Sequence, residues 1–479
     1  MKRIVNFLAG QEIRPYLYSM SVVLFFGAGY LSSLAMLPGP GISYSLATLA
    51  AAIAGAAAVN ELARNGKDLL AAWLALIIML VFGYFKFYLL LYSPLSANLV
   101  FPAYIWPAFA QKELLLCGFF LYTLAFVSLC SGLLLFSRFF SCAFLSKSEH
   151  AVAGGQAAAT SKRLLILITL LVPACLYAVH KFKIGVSGMP SVYLPMRLSG
   201  VLYYSQTILL PGLMLSQLYA ATVSEKEWQV KAGLLLLVLW AYADALLRTT
   251  RSSLLLAPLL IVFLSLTGGL KVKPKQAALI AFLAFAALCL LPFLSKYREL
   301  RIAGFDVLHS LYSSFFGGNK YPVNMFNPLS FVLFRIPGFE ILVAALGTGP
   351  DIDVTRAWGI LASRGGLAEY LTRSIFGIKY IHSFAPSFVA GSYLLGGYPG
   401  VLTASVLASL AVTLGWRGVN LLDLRVLPVA RVFFLLLFFW VMTEGLTGIL
   451  FKQVAAAFIT IVICEVFFRA AAKGERNIP

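Results

Sequence analysis

The sequence predicts an all-α protein that crosses a bilayer about twelve times, with both ends in the cytoplasm and one large helical loop on the outer side. Three observations carry this. Of 479 residues, 61% are hydrophobic and only 11% are charged, against roughly 45–50% and 25% for soluble domains. The apolar residues fall in runs of roughly 16–24, long enough to cross a hydrocarbon core about 30 Å thick. Lysine and arginine also collect in alternate connections, as the positive-inside rule requires.

The runs lie near 16–36, 43–60, 69–92, 113–136, 164–180, 201–222, 232–247, 252–267, 276–294, 399–415, 432–447 and 453–468. A cytoplasmic N-terminus puts Arg64/Lys67, Arg138/Lys147/Lys162/Arg163, Lys226/Lys231, Lys271/Lys273/Lys275 and Arg417/Arg425/Arg431 on the inside together with both basic termini. Residues 1–479 thus read as one integral membrane domain. Within it 295–398 is the large outer loop, exempt by its length from the charge rule and too long to lack helices of its own.

In that loop Asn327-Pro328 reads as an N-cap followed by a first-turn proline, opening an apolar helix towards Gly347. Arg335, Pro337, Gly338 and Glu340 at its centre argue for an interfacial or re-entrant segment instead of a thirteenth span. The small residues from Ala50 to Ala58 favour close helix packing. The stretch Ala151 to Thr160 reads as a flexible cytoplasmic connector.

The net charge of +19 would suggest nucleic acid in a soluble chain. Here the cations flank apolar segments, and membrane lipid is the expected partner. The six cysteines form neither a disulfide framework nor a zinc spacing. No hydrolase elbow, Walker loop or dinucleotide fingerprint stands in the required context. Asp351-Ile352-Asp353 has a metal-binding spacing too short to be informative, and no metal site and no cofactor are expected.

The most unusual local feature is Arg248-Thr249-Thr250-Arg251-Ser252-Ser253, an outer turn between two apolar runs of only about 16 residues each, short for a span. Two guanidinium groups beside a serine-rich helix start make an anion site. Arg197, the pair Arg298/Arg301, Arg335 and Arg356 add to an outer basic surface whose natural partner is a lipid-linked diphosphate. Lys86, set among Tyr84, Phe85, Phe87 and Tyr88, is expected to snorkel to the outer surface. His382 and the acids Glu299, Asp306, Glu340, Asp351, Asp353 and Glu369 of the outer loop are the candidate acid–base groups, which their positions in sequence do not rank.

This layout resembles the bacterial Wzy-type O-antigen polymerases, which join oligosaccharide repeat units and are related in architecture to the O-antigen ligases. The resemblance rests on about twelve spans, the short turn Thr250-Arg251-Ser252-Ser253, the large outer loop, and Pro386-Ser387, Gly391, Tyr393 and Gly396-Gly397-Tyr398 leading into the next helix. It implies a membrane-embedded, metal-independent glycosyltransferase of the class C type in the bacterial inner membrane. Such an enzyme moves a growing glycan from one polyprenyl diphosphate to a sugar hydroxyl of a second lipid-linked unit at the periplasmic face. A Wzz-type chain-length-regulating co-polymerase is the partner the resemblance implies. An O-antigen ligase, or a transporter or flippase of lipid-linked sugars, is the competing reading; the single large loop, with no counterpart in the first half, disfavours the transporter.

Overall fold

The computed structural model describes residues 13–34, 41–65, 70–92, 106–141, 154–186, 198–248, 252–271, 338–348, 387–422, 424–445 and 448–475, with isolated residues elsewhere. Its helices are α1 (Ile13–Leu34), α2 (Ile42–Asn65), α3 (Leu70–Tyr92), α4 (Trp106–Ala110) and α5 (Lys112–Ser141). They continue as α6 (Gly154–Phe182), α7 (Leu198–Val223), α8 (Glu227–Arg248) and α9 (Ser252–Leu266). The last four are α10 (Phe339–Thr348), α11 (Phe388–Leu421), α12 (Leu427–Glu444) and α13 (Gly448–Glu475).

Among the described residues there is no β-sheet, and nine helices are long and apolar enough to cross a membrane, with α9 and α12 as shorter apolar ones. Large apolar side chains such as Leu31, Ile42 and Phe139 stay at least two-thirds exposed, a surface suited to lipid and not to water. The protein is a multi-pass membrane protein. Of the expected segment 276–294, ten scattered residues between Ala277 and Leu294 are described, all helical, and the rest lie outside the described residues.

The chain divides into two compact units. The first takes residues up to Ser146, Ser330–Asn420 and Leu437–Leu450. In it α2 packs on both α1 and α5, and the small-residue run allows the approach: a Cβ on Gly55 would lie 3.0 Å from Val22 and 3.1 Å from Phe126. Its core is aromatic, with Phe26 edge-on to Tyr84 at 4.7 Å and Phe87 tilted against Phe119 at 4.7 Å.

The second unit takes Lys147–Leu329, Leu421–Leu436 and Phe451 onwards. Here Gln217 Nε2 donates to Ser161 Oγ at 3.2 Å and to the Gln229 carbonyl at 3.0 Å, linking α6, α7 and α8. Glu465 on α13 accepts from the backbone amides of Arg425 (2.8 Å) and Val426 (3.3 Å), two groups that the start of α12 would otherwise leave without partners.

Two expectations change. Gly154–Thr160 is the first part of α6 and not a connector; Gln156 and the three alanines after it are strong helix formers. The run before Arg248 is also no short helix. Glu227 and Lys231, one turn apart and 3.4 Å from ion to ion, extend α8 to 22 residues, so only α9, with 15, is short.

Gly212 brings α7 against Phe433 of α12 and Thr460 of α13, where a Cβ would come within 2.9 Å of the Phe433 ring. Gly212→Leu should therefore cost about 1–3 kcal/mol by overpacking. It should lower the thermal unfolding midpoint in detergent, whereas Gly200→Leu, facing open space on the same helix, should not.

Candidate functional site

In the second unit, α8 ends at Arg248 and α9 begins at Ser252, leaving a three-residue connection. Asp244 precedes Arg248 by four residues and therefore shares its helix face. Its carboxylate is wholly buried and accepts from Arg248 Nε at 2.7 Å, from Arg248 Nη2, from Ser253 Oγ and from Gln206 Nε2 at 3.0 Å. One carboxylate thus holds the last turn of α8, the first turn of α9 and the π-helical turn Ser205–Leu209 of α7.

The Arg248 guanidinium also lies 5.7 Å from the centre of the Tyr203 ring. Among the described residues its Nη1 makes no hydrogen bond, while Nε and Nη2 are committed to Asp244 and Ser253. Gly185, at φ +65°, keeps that side open: a Cβ there would lie 2.9 Å from Tyr203 and 3.5 Å from Nη1. The carboxylate cancels much of the Arg248 charge, which lowers the cost of arginine at membrane depth, about 2.5–3.5 kcal/mol on insertion scales.

The first unit holds a second buried charge pair. Lys86 follows the π-helical turn Leu80–Phe85, and its Nζ donates to both oxygens of Glu340 at 2.8 Å, both side chains being 0% exposed. The expected snorkelling of Lys86 does not occur. A carboxylate 254 positions away in sequence meets the ammonium inside the unit, so the buried charge is paired there and needs no path to a headgroup. Glu340 is thus enclosed, with both oxygens used by Lys86.

Gly338 packs on the Phe82 carbonyl, where any Cβ would clash. The Gly338 carbonyl in turn accepts from Ser387 Oγ at 3.4 Å, and Ser387, held at φ +56°, caps α11 by accepting from the Ala390 amide. Further along, α11 is broken at Gly396 and Gly397 (φ 58°, ψ −145°), a conformation that essentially only glycine adopts. Beyond the break Tyr398 stands edge-on to Tyr393, centroids 6.2 Å apart.

Of the catalytic and substrate-binding candidates read from sequence, Arg248 and Glu340 are described, one in each unit. Arg197, Arg251, Arg298, Arg301, Arg335, Arg356 and His382 lie outside the described residues, as do Glu299, Asp306, Asp351, Asp353 and Glu369. The expected interfacial or re-entrant segment is described only from Gly338. There α10 is ten residues long with Phe339 to Ala345 all buried, which excludes a helix lying amphipathically on a surface and fits a re-entrant one. Sequence reasoning missed Asp244, Gln206 and the pairing of Lys86. An acid four residues before an arginine inside an apolar run was the available signal for Asp244.

No group of three or more His, Cys, Asp or Glu is arranged to hold a metal among the described residues. Comparison with family models, characterised proteins and solved structures finds no match to this chain.

A double-mutant cycle on Asp244→Ala and Arg248→Met should give a coupling of about 1–3 kcal/mol. Asp244→Ala alone should be the more damaging single change, since it strands a buried guanidinium. Denaturant unfolding in detergent measures both.

Proposed function

We propose that the chain is a polymerase of polyprenyl-diphosphate-linked oligosaccharide repeat units, acting at the periplasmic face of the bacterial inner membrane in twelve spans with both ends cytoplasmic. The observation that supports it most is the buried carboxylate of Asp244, which ties Arg248 to Ser253 and so fixes both ends of the connection that carries Arg251. A diphosphate leaving group needs fixed positive charge where its own charge grows. Arginine supplies it without losing a proton.

In this reading Arg251 holds the donor diphosphate with Nη1 of Arg248, assisted by Arg298 and Arg301, while Arg197, Arg335 and Arg356 orient glycan or the second lipid carrier. The acceptor hydroxyl attacks the anomeric carbon of the donor sugar. As the new C–O bond forms, the bond to the diphosphate breaks and the lipid diphosphate departs as the anion. His382 takes the hydroxyl proton. Glu340, enclosed by Lys86, is assigned the positioning of α10 in place of the base role.

The break in α11 at Gly396–Gly397 favours a second reading, transport of lipid-linked sugars, since discontinuous helices line the substrate sites of many transporters. Purified protein given defined lipid-linked repeat units separates the alternatives: longer glycans mean polymerisation, transfer to lipid A core means ligation, and neither means transport. Arg251→Glu should lower polymer formation by about 10²-fold or more while the protein stays in the membrane. Wild-type ladders from that variant would remove the assignment.

A further inference from the structure

Helix α10 has an orientation problem. From Phe339 to Ala345 every residue is buried, and apart from Glu340 every one is apolar. It packs against α3, α4 and α5 at once. A helix apolar all round has no stripe to choose which face meets which neighbour, so burial alone leaves its rotation degenerate. Glu340 is the one charged residue of α10, and Lys86 is the one charged residue of α3.

Stability does not explain the pair. Replacing a buried ion pair by apolar residues of similar volume is often neutral or stabilising, and the best attested use of such groups is to fix register. The surroundings also make the geometry singular. Lys86 emerges at the end of a π-helical turn, and Gly338 leaves no space for any other residue beside the Phe82 carbonyl.

We propose that Lys86 and Glu340 are a positioning pair that sets the rotation and register of α10, and through it the placement of the segment running from Arg335 to Arg356. The second clause rests on the substrate role given to those arginines above; the first does not. Lys86, wholly buried, acts through Glu340.

The register can be read directly. A Cβ on Gly347 would lie 3.2 Å from the Ala108 Cβ of α4, close to the separation of about 3.5–4.5 Å found across disulfides. Leu346 points about 100° away around the helix. In the full-length protein in nanodiscs, Ala108→Cys with Gly347→Cys should cross-link on mild oxidation, mapped by peptide mass spectrometry, and Ala108→Cys with Leu346→Cys should not. Adding Lys86→Met/Glu340→Met should lower the first product several-fold and raise the second. Lys86→Glu/Glu340→Lys should restore the parental pattern.

An unchanged pattern in the doubly apolar variant would overturn the proposal, as would a charge-swapped variant that folds without restoring it. Should the doubly apolar variant fail to fold, the charge-swapped one decides alone. Polymer formation is scored on the same proteins. A shifted register with undiminished polymerisation refutes the second clause only, whereas a parent protein with no polymerisation refutes the functional reading and leaves the register result standing.

Discussion

What organises this protein is the cost of charge in a medium that cannot solvate it. A lone ion within a bilayer or a close-packed helical unit is expensive enough to be rare, yet Lys86, Glu340, Asp244 and Arg248 all sit at 4% exposure or less. Each is answered by a partner of opposite sign at hydrogen-bond distance. The partners belong to different turns or to distant parts of the chain, so meeting the electrostatic requirement also fixes how those parts lie against one another. Apolar packing, which lipid can imitate, specifies far less.

Each unit delivers its buried polar group by the same local device. The π-helical turn Leu80–Phe85 immediately precedes Lys86, and the π-helical turn Ser205–Leu209 contains Gln206. A wide turn inserts an extra residue and rotates everything after it relative to a regular helix, which redirects a side chain without ending the span. The glycines serve the same geometry from the other side. Gly338 admits the Phe82 carbonyl beside Lys86, and Gly185 keeps room beside Arg248.

Much of the architecture was legible because the bilayer imposes a length and a hydropathy on every crossing: eleven of the twelve apolar runs correspond to described helices. What was misread shows where composition ceases to inform. Lys86 among aromatic residues looks the same whether it reaches a headgroup or a carboxylate 254 residues away, because one sequence carries no trace of a long-range partner. The run before Arg248 looked short since its polar end, Glu227 to Lys231, fails an apolarity criterion while continuing the helix. Asp244 is readable from its spacing to Arg248, an acid one turn before an arginine inside an apolar run, although the cations are the more conspicuous feature of that turn. The π-helical turns have no sequence signature that distinguishes Gly83 or Gln206 from ordinary helical residues.

The two networks suggest a division of labour: in the first unit a closed pair proposed to orient α10, in the second a carboxylate that braces an arginine-bearing turn and, among the described residues, leaves Nη1 of Arg248 without a hydrogen bond. The proposed function requires that this turn receive a lipid-linked diphosphate. Photo-cross-linking with a polyprenyl diphosphate carrying a photoreactive group near the phosphates, applied to the full-length protein in nanodiscs and mapped by mass spectrometry, tests it most directly. Adducts should fall within residues 248–253, suppressed by unlabelled lipid-linked repeat unit and not by the corresponding lipid monophosphate. Adducts that avoid this turn, or that the monophosphate suppresses equally well, would contradict it.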